Sequence, residues 1–286
     1  MQEAATKYTV FGRVSPEQKK LLVQALKTKG HTVAMTGDGV NDILAMRESD
    51  CAIAIASGAE AARNIAHLVL QDSNFTSMPQ IVMEGRRVIN NIQKTSALFL
   101  MKTIMTVILA IVSLVLQMDY PYKTDYLLLM EIFVIAGASF ALALQANTSL
   151  IKGKFLSNVI GRSAPGGITL AISMLSIYFY GQMAMGSRVT GSYYETMLIL
   201  GVTFTSFIVL IKICEPPNMF RVVMLVVVGG LLAIAALVLP TFLDLFAISF
   251  PLEPQDMLYL IVTVLGSYFF MSILIKIMRS LKVLNY

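Results

Sequence analysis

From Thr95 onward the sequence repeats apolar runs of about 20 residues, the length a helix needs to cross the hydrocarbon core of a bilayer. In that environment backbone polar groups must be paired within the segment, which restricts such runs to helices. Spans are expected near 95–117, 126–146, 164–181, 195–213, 222–243 and 257–275, the third short and the fifth broken by Pro240. The charges show where this region begins. Residues 1–94 carry 11 Lys+Arg and 9 Asp+Glu, whereas the following 192 carry 11 and 8, so charge density halves near residue 95. With 56% hydrophobic residues over 286 positions, a single soluble domain is excluded.

The basic residues follow membrane topology rather than nucleic acid. They form no stripe and no cluster interleaved with aromatics, so the net charge of +5 implies no nucleic-acid partner. If the first 94 residues are cytoplasmic, the loops after the second and fourth spans and the tail share that side. They hold Lys152, Lys154, Arg162, Lys212, Arg221, Lys276, Arg279 and Lys282, against Lys123 and Arg188 opposite. That asymmetry follows the positive-inside rule. Both termini are expected in the cytoplasm, and six spans satisfy this. Met1 to Thr9 has no apolar run after a basic start, so it does not read as a signal peptide. Cys51 and Cys214 have no partner spacing and read as buried thiols.

Before the spans, short apolar runs alternate with helical stretches. Strands are expected over 8–14, 31–36, 51–55 and 67–70. Helices are expected over Pro16 to Lys29, from Gly39 to Glu48, and over Ala59 to Ile65. This alternation implies a parallel sheet covered by helices. The fold class is thus an α/β, partial parallel-sheet (Rossmann-like) cytoplasmic segment at 1–94, followed by a six-helix transmembrane bundle at 95–286.

The most specific string is Thr36-Gly37-Asp38-Gly39-Val40-Asn41-Asp42, at the end of an expected strand. Open parallel sheets bind ligands outside the carboxyl ends of their strands. Magnesium takes one or two carboxylates plus phosphate and water oxygens, so Asp38 with Asp42 nearby is a sensible cradle. Gly37 and Gly39 allow close backbone approach. The plain alternative is an acidic turn closing a strand.

The full string resembles the hinge motif of P-type ATPases, members of the haloacid-dehalogenase-like phosphotransferases. Arg13-Val14-Ser15-Pro16-Glu17-Gln18-Lys19 is similar to the family's segment one strand earlier, whose lysine contacts the phosphorylated aspartate. Ala45 to Phe75, with Asp50, Ser57-Gly58 and Asp72, is similar to the continuation, and Asn90-Asn91 matches the approach to the first span. The resemblance covers almost all of residues 8–115 and is closest to the bacterial calcium-pump-like members. It implies that Asp38 ligates Mg2+ with support from Asp42 and Asn41. Thr36, Gly37 and Gly39 would shape the site, and Lys19 would neutralise the aspartyl phosphate. ATP would be the substrate of the complete pump, and the location a bacterial plasma membrane, in contact with membrane lipid.

The family's phosphorylated aspartate lies in an Asp-Lys-Thr-Gly string, which these 286 residues lack. The resemblance therefore implies the carboxy-terminal part of a pump, inactive without its amino-terminal part. A non-catalytic membrane subunit or regulator retaining the fold is the alternative, and an independent phosphatase is disfavoured by the missing nucleophile.

In the calcium-pump branch the first span of this region supplies a carboxylate and the next an Asn with a nearby Thr-Asp pair. Counting forward puts Thr106 at the carboxylate position and Glu131, Val134 and Ile135 at the others. Most of those ligands are not reproduced, although Ca2+ is the cation implied by the resemblance. The chain offers instead Lys102, about 10 Å into its span, and Glu131, about 8 Å from the opposite surface. Ionisable groups in spans are costly and often functional. Glu131 is expected to bind the cation and Lys102 to act as a built-in counter-charge. Thr103, Ser139 and Gln145 are further oxygen donors. With no intramembrane cysteine motif, copper and zinc are disfavoured.

Overall fold

The structure is a computed structural model that describes residues 2–121, 123–185, 192–238, 248 and 252–280. The chain divides into two units, Met1–Met83 and Glu84–Tyr286.

In the first unit, helix α1 (Gln2–Lys7) precedes α2 (Pro16–Thr28), β1 (Ala34–Gly37), a 3-10 turn (Val40–Asp42) and α3 (Ile43–Glu48). Strand β2 (Cys51–Ile55), α4 (Glu60–Ile65), β3 (Leu68–Leu70) and a 3-10 turn (Phe75–Ser77) follow. The strands form a parallel sheet in the order β1-β2-β3, with Ala34 opposite Cys51 and Ile53 opposite Leu68. Met46 from α3, Ala52 and Ala54 from β2, and Ala62 from α4 make its small core. The small side chains let the short helices lie close on the sheet. Cys51, expected buried, is only half-buried.

The strand expected over 8–14 does not form. Its residues join no ladder and bend at Thr9 and Arg13, with Val10 86% exposed and Arg13 in the left-handed region at φ 53. A β-compatible run becomes a strand only with a partner ladder, and here the chain turns directly into the cap of α2.

Asp50 registers β1 with β2 by accepting the Val33 N–H at 2.8 Å, with Lys27 3.2 Å away. The Val33 N–H foremost, and then the Lys27 ammonium, hold the Asp50 carboxyl below the ordinary carboxylate range.

The second unit is helical and largely apolar. It comprises most of α5 (Met78–Leu116), a 3-10 turn (Thr124–Leu127), a π-helical stretch (Met130–Gly137) running into α6 (Ala138–Ala143), then α7 (Phe155–Tyr180), α8 (Ser192–Ile213), α9 (Met219–Ala233) and α10 (Pro254–Ser280). Among the described residues five helices are long and apolar enough to cross a membrane, and Met130–Ala143 is a shorter apolar helix. The chain is therefore an integral, multi-pass membrane protein.

On α5, Ala97, Leu98, Met101, Met105 and Leu109 form the buried stripe expected at helical spacing, while Phe99, Val107, Ile111 and Leu114 are exposed. An apolar outer face of this kind suits lipid rather than water. Helix α8 is the hub: 72% of its most apolar window is buried, against 17% for α10. Helix α7 starts nine residues before the expected 164 and carries Pro165 within it. Gly161, Pro165, Gly166 and Gly167 read as breakers in sequence, yet all are buried in the bundle, where packing outweighs propensity. Pro240, the far end of the fifth span, Arg188 and Lys282 lie outside the described residues.

Helix α6 ends at Ala143, leaving carbonyls without helical partners. Side chains from α5 supply them. Arg87 and Asn91 donate to the Ala143 carbonyl at 3.1 and 3.2 Å, and Asn91 donates to Gln145 at 2.6 Å. Asn90 donates to the carbonyls of Asn147 and Ser149 at 3.2 and 2.8 Å. The Asn90-Asn91 pair is thus the clasp between α5 and the segment after α6.

Because the Asp50 carboxyl is held down in the folded state, its stabilisation is fully present above the unfolded value and lost as pH falls through the folded one. Asp50→Asn should lower the thermal midpoint of the first unit at pH 6, and the deficit should fade below about pH 4. A deficit independent of pH would contradict this.

Candidate phosphate and cation sites

Helix α2 begins with a cap spelled out in its sequence. Ser15 Oγ accepts the Gln18 N–H at 3.3 Å, and Gln18 Oε1 accepts the Ser15 N–H at 2.9 Å, with Pro16 opening the helix. This reciprocal box satisfies two donors that a helix start leaves over, and it fixes the phase of Lys19 one turn in. Lys19 Nζ lies 2.7 Å from Asp42 Oδ1. The lysine is not a solvated side chain of a first turn. It joins α2 to the turn after β1.

Asp42 is buried, its side chain 11% exposed. Gly37, the last residue of β1, makes room for it: a Cβ at Gly37 would fall 2.4 Å from the Asp42 Cβ. Asp38 follows immediately and is exposed, as is Asn41, while Thr36 is half-buried on β1. The backbone at Asp38 is clamped from the β2–α4 turn. Its carbonyl accepts the Ala59 N–H at 2.7 Å, and a Cβ at Gly58 would lie 2.5 Å from that same oxygen. Arg63 holds this turn by donating to the carbonyls of Ala56 and Gly58, both at 2.7 Å. Ala59 and Arg63 escaped sequence reasoning, and Ser57-Gly58 entered it only as part of a similar stretch. The Ala59–Asp38 bond spans 21 residues and leaves no local signal, and Arg63, which reaches back only five and seven residues, matters because the turn it holds meets Asp38. Gly39 differs from the other glycines of the site: its backbone is ordinary extended chain and a Cβ would come no nearer than 4.0 Å to any atom.

The donor set can be compared with a divalent cation. Among the described residues no group of three or more His, Cys, Asp and Glu converges anywhere, so a closed protein cage is not built. An exposed Asp38 beside a Lys19-paired Asp42 suits a cation that keeps its waters and takes its remaining oxygens from phosphate.

In the second unit Lys102 and Glu131 form an ion pair across α5 and the π-helical stretch. Counting along each helix alone did not bring them together. The stretch Met130–Gly137 is wound wider than an α-helix, a feature frequent at functional sites. Val134 and Ile135 in it are buried apolar side chains. The Thr106 hydroxyl donates to the Thr103 carbonyl at 2.9 Å, the local bonding such residues commonly make in helices. Gln145 and Ser139 are buried, and the Gln145 side-chain oxygen accepts from Arg221 at 3.2 Å.

Gly58→Ala should destabilise the first unit by about 1–3 kcal/mol, since backbone rather than a flexible side chain stands in the way. Gly39→Ala should change stability by less than about 0.5 kcal/mol. Thermal unfolding of both variants checks the contrast, and equal effects would contradict the clamp.

Residues 3–50 match the haloacid dehalogenase-like hydrolase family. Over 240 residues the chain is 38% identical to the probable cation-transporting ATPase exp7 of Streptococcus pneumoniae, covering 81% of this chain and 30% of that protein. It is 34% identical over 268 residues to the calcium-transporting ATPase CtpE of Mycolicibacterium smegmatis, covering 90% of this chain and 33% of that one. Similarity reaches plants: a plasma membrane-type calcium-transporting ATPase 8 of Arabidopsis thaliana is 29% identical over 75% of this chain and 21% of its own length. The chain thus spans about a third or less of the length of these relatives. With a haloacid-dehalogenase-like segment leading into apolar helices, the chain is related over most of its residues to a part of the P-type cation-transporting ATPases.

Proposed function

We propose that this chain supplies the magnesium-binding side of the phosphorylation site, and the ion path, of an ATP-driven cation pump. The observation that carries this reading is the convergence of Lys19 and Asp42 at the carboxyl end of β1, next to an exposed Asp38. Asp38 would hold Mg2+ together with phosphate oxygens. Bound there, the ion would supply charge neutralisation at a phosphoryl group. Asp42 keeps Lys19 at the same strand end, where its ammonium would neutralise an aspartyl phosphate and the charge of the transition state. Fixed charges of this sort provide most of the catalysis in phosphoryl transfer. Asn41, exposed on the turn after Gly39, would hydrogen-bond near the same group, with Thr36 and Gly37 setting the strand end. The open space over Gly39 suits close approach of a phosphate.

The nucleophilic aspartate must come from polypeptide outside these 286 residues, since no Asp-Lys-Thr-Gly string occurs among them. These residues alone should therefore not hydrolyse ATP. The domain division fits the same reading: residues 1–94 would carry the phosphorylation-domain portion with its stalk, and 95–286 the membrane domain, with both ends of the chain in the cytoplasm of a bacterium.

For the ion, Glu131 is the favoured ligand and Lys102 its counter-charge in the cation-free state. The pair supports this directly: a cation arriving at Glu131 would displace the ammonium, so the carboxylate need never stand alone in the bundle. Ca2+ is the proposed cargo because several relatives are named calcium-transporting. Thr106, Val134 and Ile135 offer no charged oxygen for it, so the site would depend on Glu131, carbonyls of the π-helical stretch and water.

Two variants of the complete pump test the two sites separately. Asp38→Asn should reduce Mg2+-dependent phosphorylation by about 100-fold or more, with the membrane unit unchanged. Glu131→Gln should leave phosphorylation chemistry possible but abolish its dependence on the transported cation. Wild-type ion-stimulated turnover in Glu131→Gln would remove Glu131 from the ion path.

A further inference from the structure

Away from both sites, the second unit contains a cavity of about 620 Å³ where α5, the segment after α6, α7 and the α8–α9 connection meet. Four basic residues line it, Lys94, Lys152, Arg162 and Arg221, with a single acid, Glu215, that is paired at 2.9 Å with Lys212. Lys94 is only 4% exposed, and its Nζ is buried with no hydrogen-bond partner among the described residues. The same holds for the Nε2 of Gln93, also on the cavity wall. A buried lysine amine with no partner, beside two guanidinium groups, is a costly arrangement that an anion would relieve. Arg221 shows how firmly the wall is built, donating to Gln145 and to the Cys214 carbonyl, both at 3.2 Å.

Two further features point to the kind of anion. All of these groups sit where helices of the bundle begin or end on one side: early in the apolar part of α5, near the starts of α7 and α9, and just past the end of α8. With the helices spanning a bilayer, that end of the bundle would lie near headgroup depth. A second crevice of about 480 Å³ shares Arg162, Glu215, Pro216 and Pro217 with the first, and continues along Ile213, Met271 and Ile275. A polar, basic chamber beside a largely apolar crevice, which Lys212 and Arg279 also line, matches an amphiphile, with phosphate in the one and acyl chain along the other. We infer that this double cavity is a binding site for an anionic phospholipid, its headgroup phosphate neutralising Lys94, Arg162 and Arg221. Basic pockets between membrane helices serve such headgroups elsewhere. The inference needs only the membrane bundle and does not rest on the pump reading.

The test uses the 286-residue chain reconstituted in vesicles of equal parts phosphatidylcholine and phosphatidylglycerol, then extracted in mild detergent for lipid counting by native mass spectrometry. Phosphatidylglycerol should be retained about tenfold over phosphatidylcholine. Lys152→Glu, at an exposed position on the cavity rim, should abolish that enrichment. Lys276→Glu, an exposed change lining neither cavity, should preserve it. Lys94→Met should also abolish it, but the rim variant keeps the test decisive if that buried change impairs folding. Equal retention of the two lipids, or equal effects of the Lys152 and Lys276 variants, would overturn the assignment. So would thermal protection by millimolar inorganic phosphate in detergent without phosphatidylglycerol enrichment, which would assign the chamber to free phosphate.

Discussion

Polar groups and charges are expensive inside an apolar helix bundle, and the second unit is arranged around that expense. Three polar residues of α5 illustrate different solutions. Asn91 spends its amide on the carbonyls that α6 leaves open at its end. Lys102 takes Glu131 as its partner. Thr106 returns its hydroxyl to its own helix. Elsewhere Asp256, 1% exposed, accepts from the hydroxyls of Tyr180 and Tyr193, both at 2.6 Å. Gln93, Lys94 and Ser113 of α5 have side-chain atoms without partners among the described residues, and of these three Lys94 alone is basic, which is why an anionic ligand is the economical account of it. The Lys102–Glu131 pair carries a second consequence. A carboxylate already matched by an internal cation offers an exchange of partners: an arriving cation would take the place of the Lys102 ammonium beside Glu131, and that ammonium would then turn to water or another acceptor.

The first unit solves a smaller problem, holding one exposed carboxylate still. Its sheet has three short strands, and its core is built of four small or flexible residues. Precision comes instead from specific contacts at the carboxyl end of β1. The capping box sets the phase of α2, α2 delivers Lys19, Lys19 fixes Asp42, and the Gly58 turn presses against the Asp38 backbone. Asp38 itself is left facing solvent, its position determined by neighbours that do not need its side chain. In the proposed role, a site prepared in this way would present Asp38 to a metal and a phosphate from a backbone already held by its neighbours.

What could be read from the sequence follows from the range of the interactions. Helix α2 and its cap were legible because Ser15, Pro16 and Gln18 act within one turn, and the strands at 51–55 and 68–70 because their partners are supplied by the alternating pattern. The run 8–14 looks equally strand-like, but a strand is defined by a neighbour that local composition does not encode. The early start of α7 was hidden for the opposite reason: Gly161, Pro165 and Gly166 signal a break locally and close packing globally. Depth could be counted along α5 and along the next span, yet the stagger between them, and the π-helical widening around Glu131, set the Lys102 pairing. The Lys94 chamber was illegible because its cations come from separate segments, each unremarkable by itself.

The central claim is that these residues complete a phosphorylation site whose occupancy is coupled to a cation in the membrane bundle. Its most direct test is phosphorylation of the complete pump from labelled ATP at fixed Mg2+, titrated with Ca2+ and with other small cations. The account predicts an acyl phosphate whose level changes steeply with one hard cation and vanishes when Mg2+ is removed. A phosphorylated species indifferent to every cation tested, or none formed when the Asp-Lys-Thr-Gly aspartate is present, would contradict it.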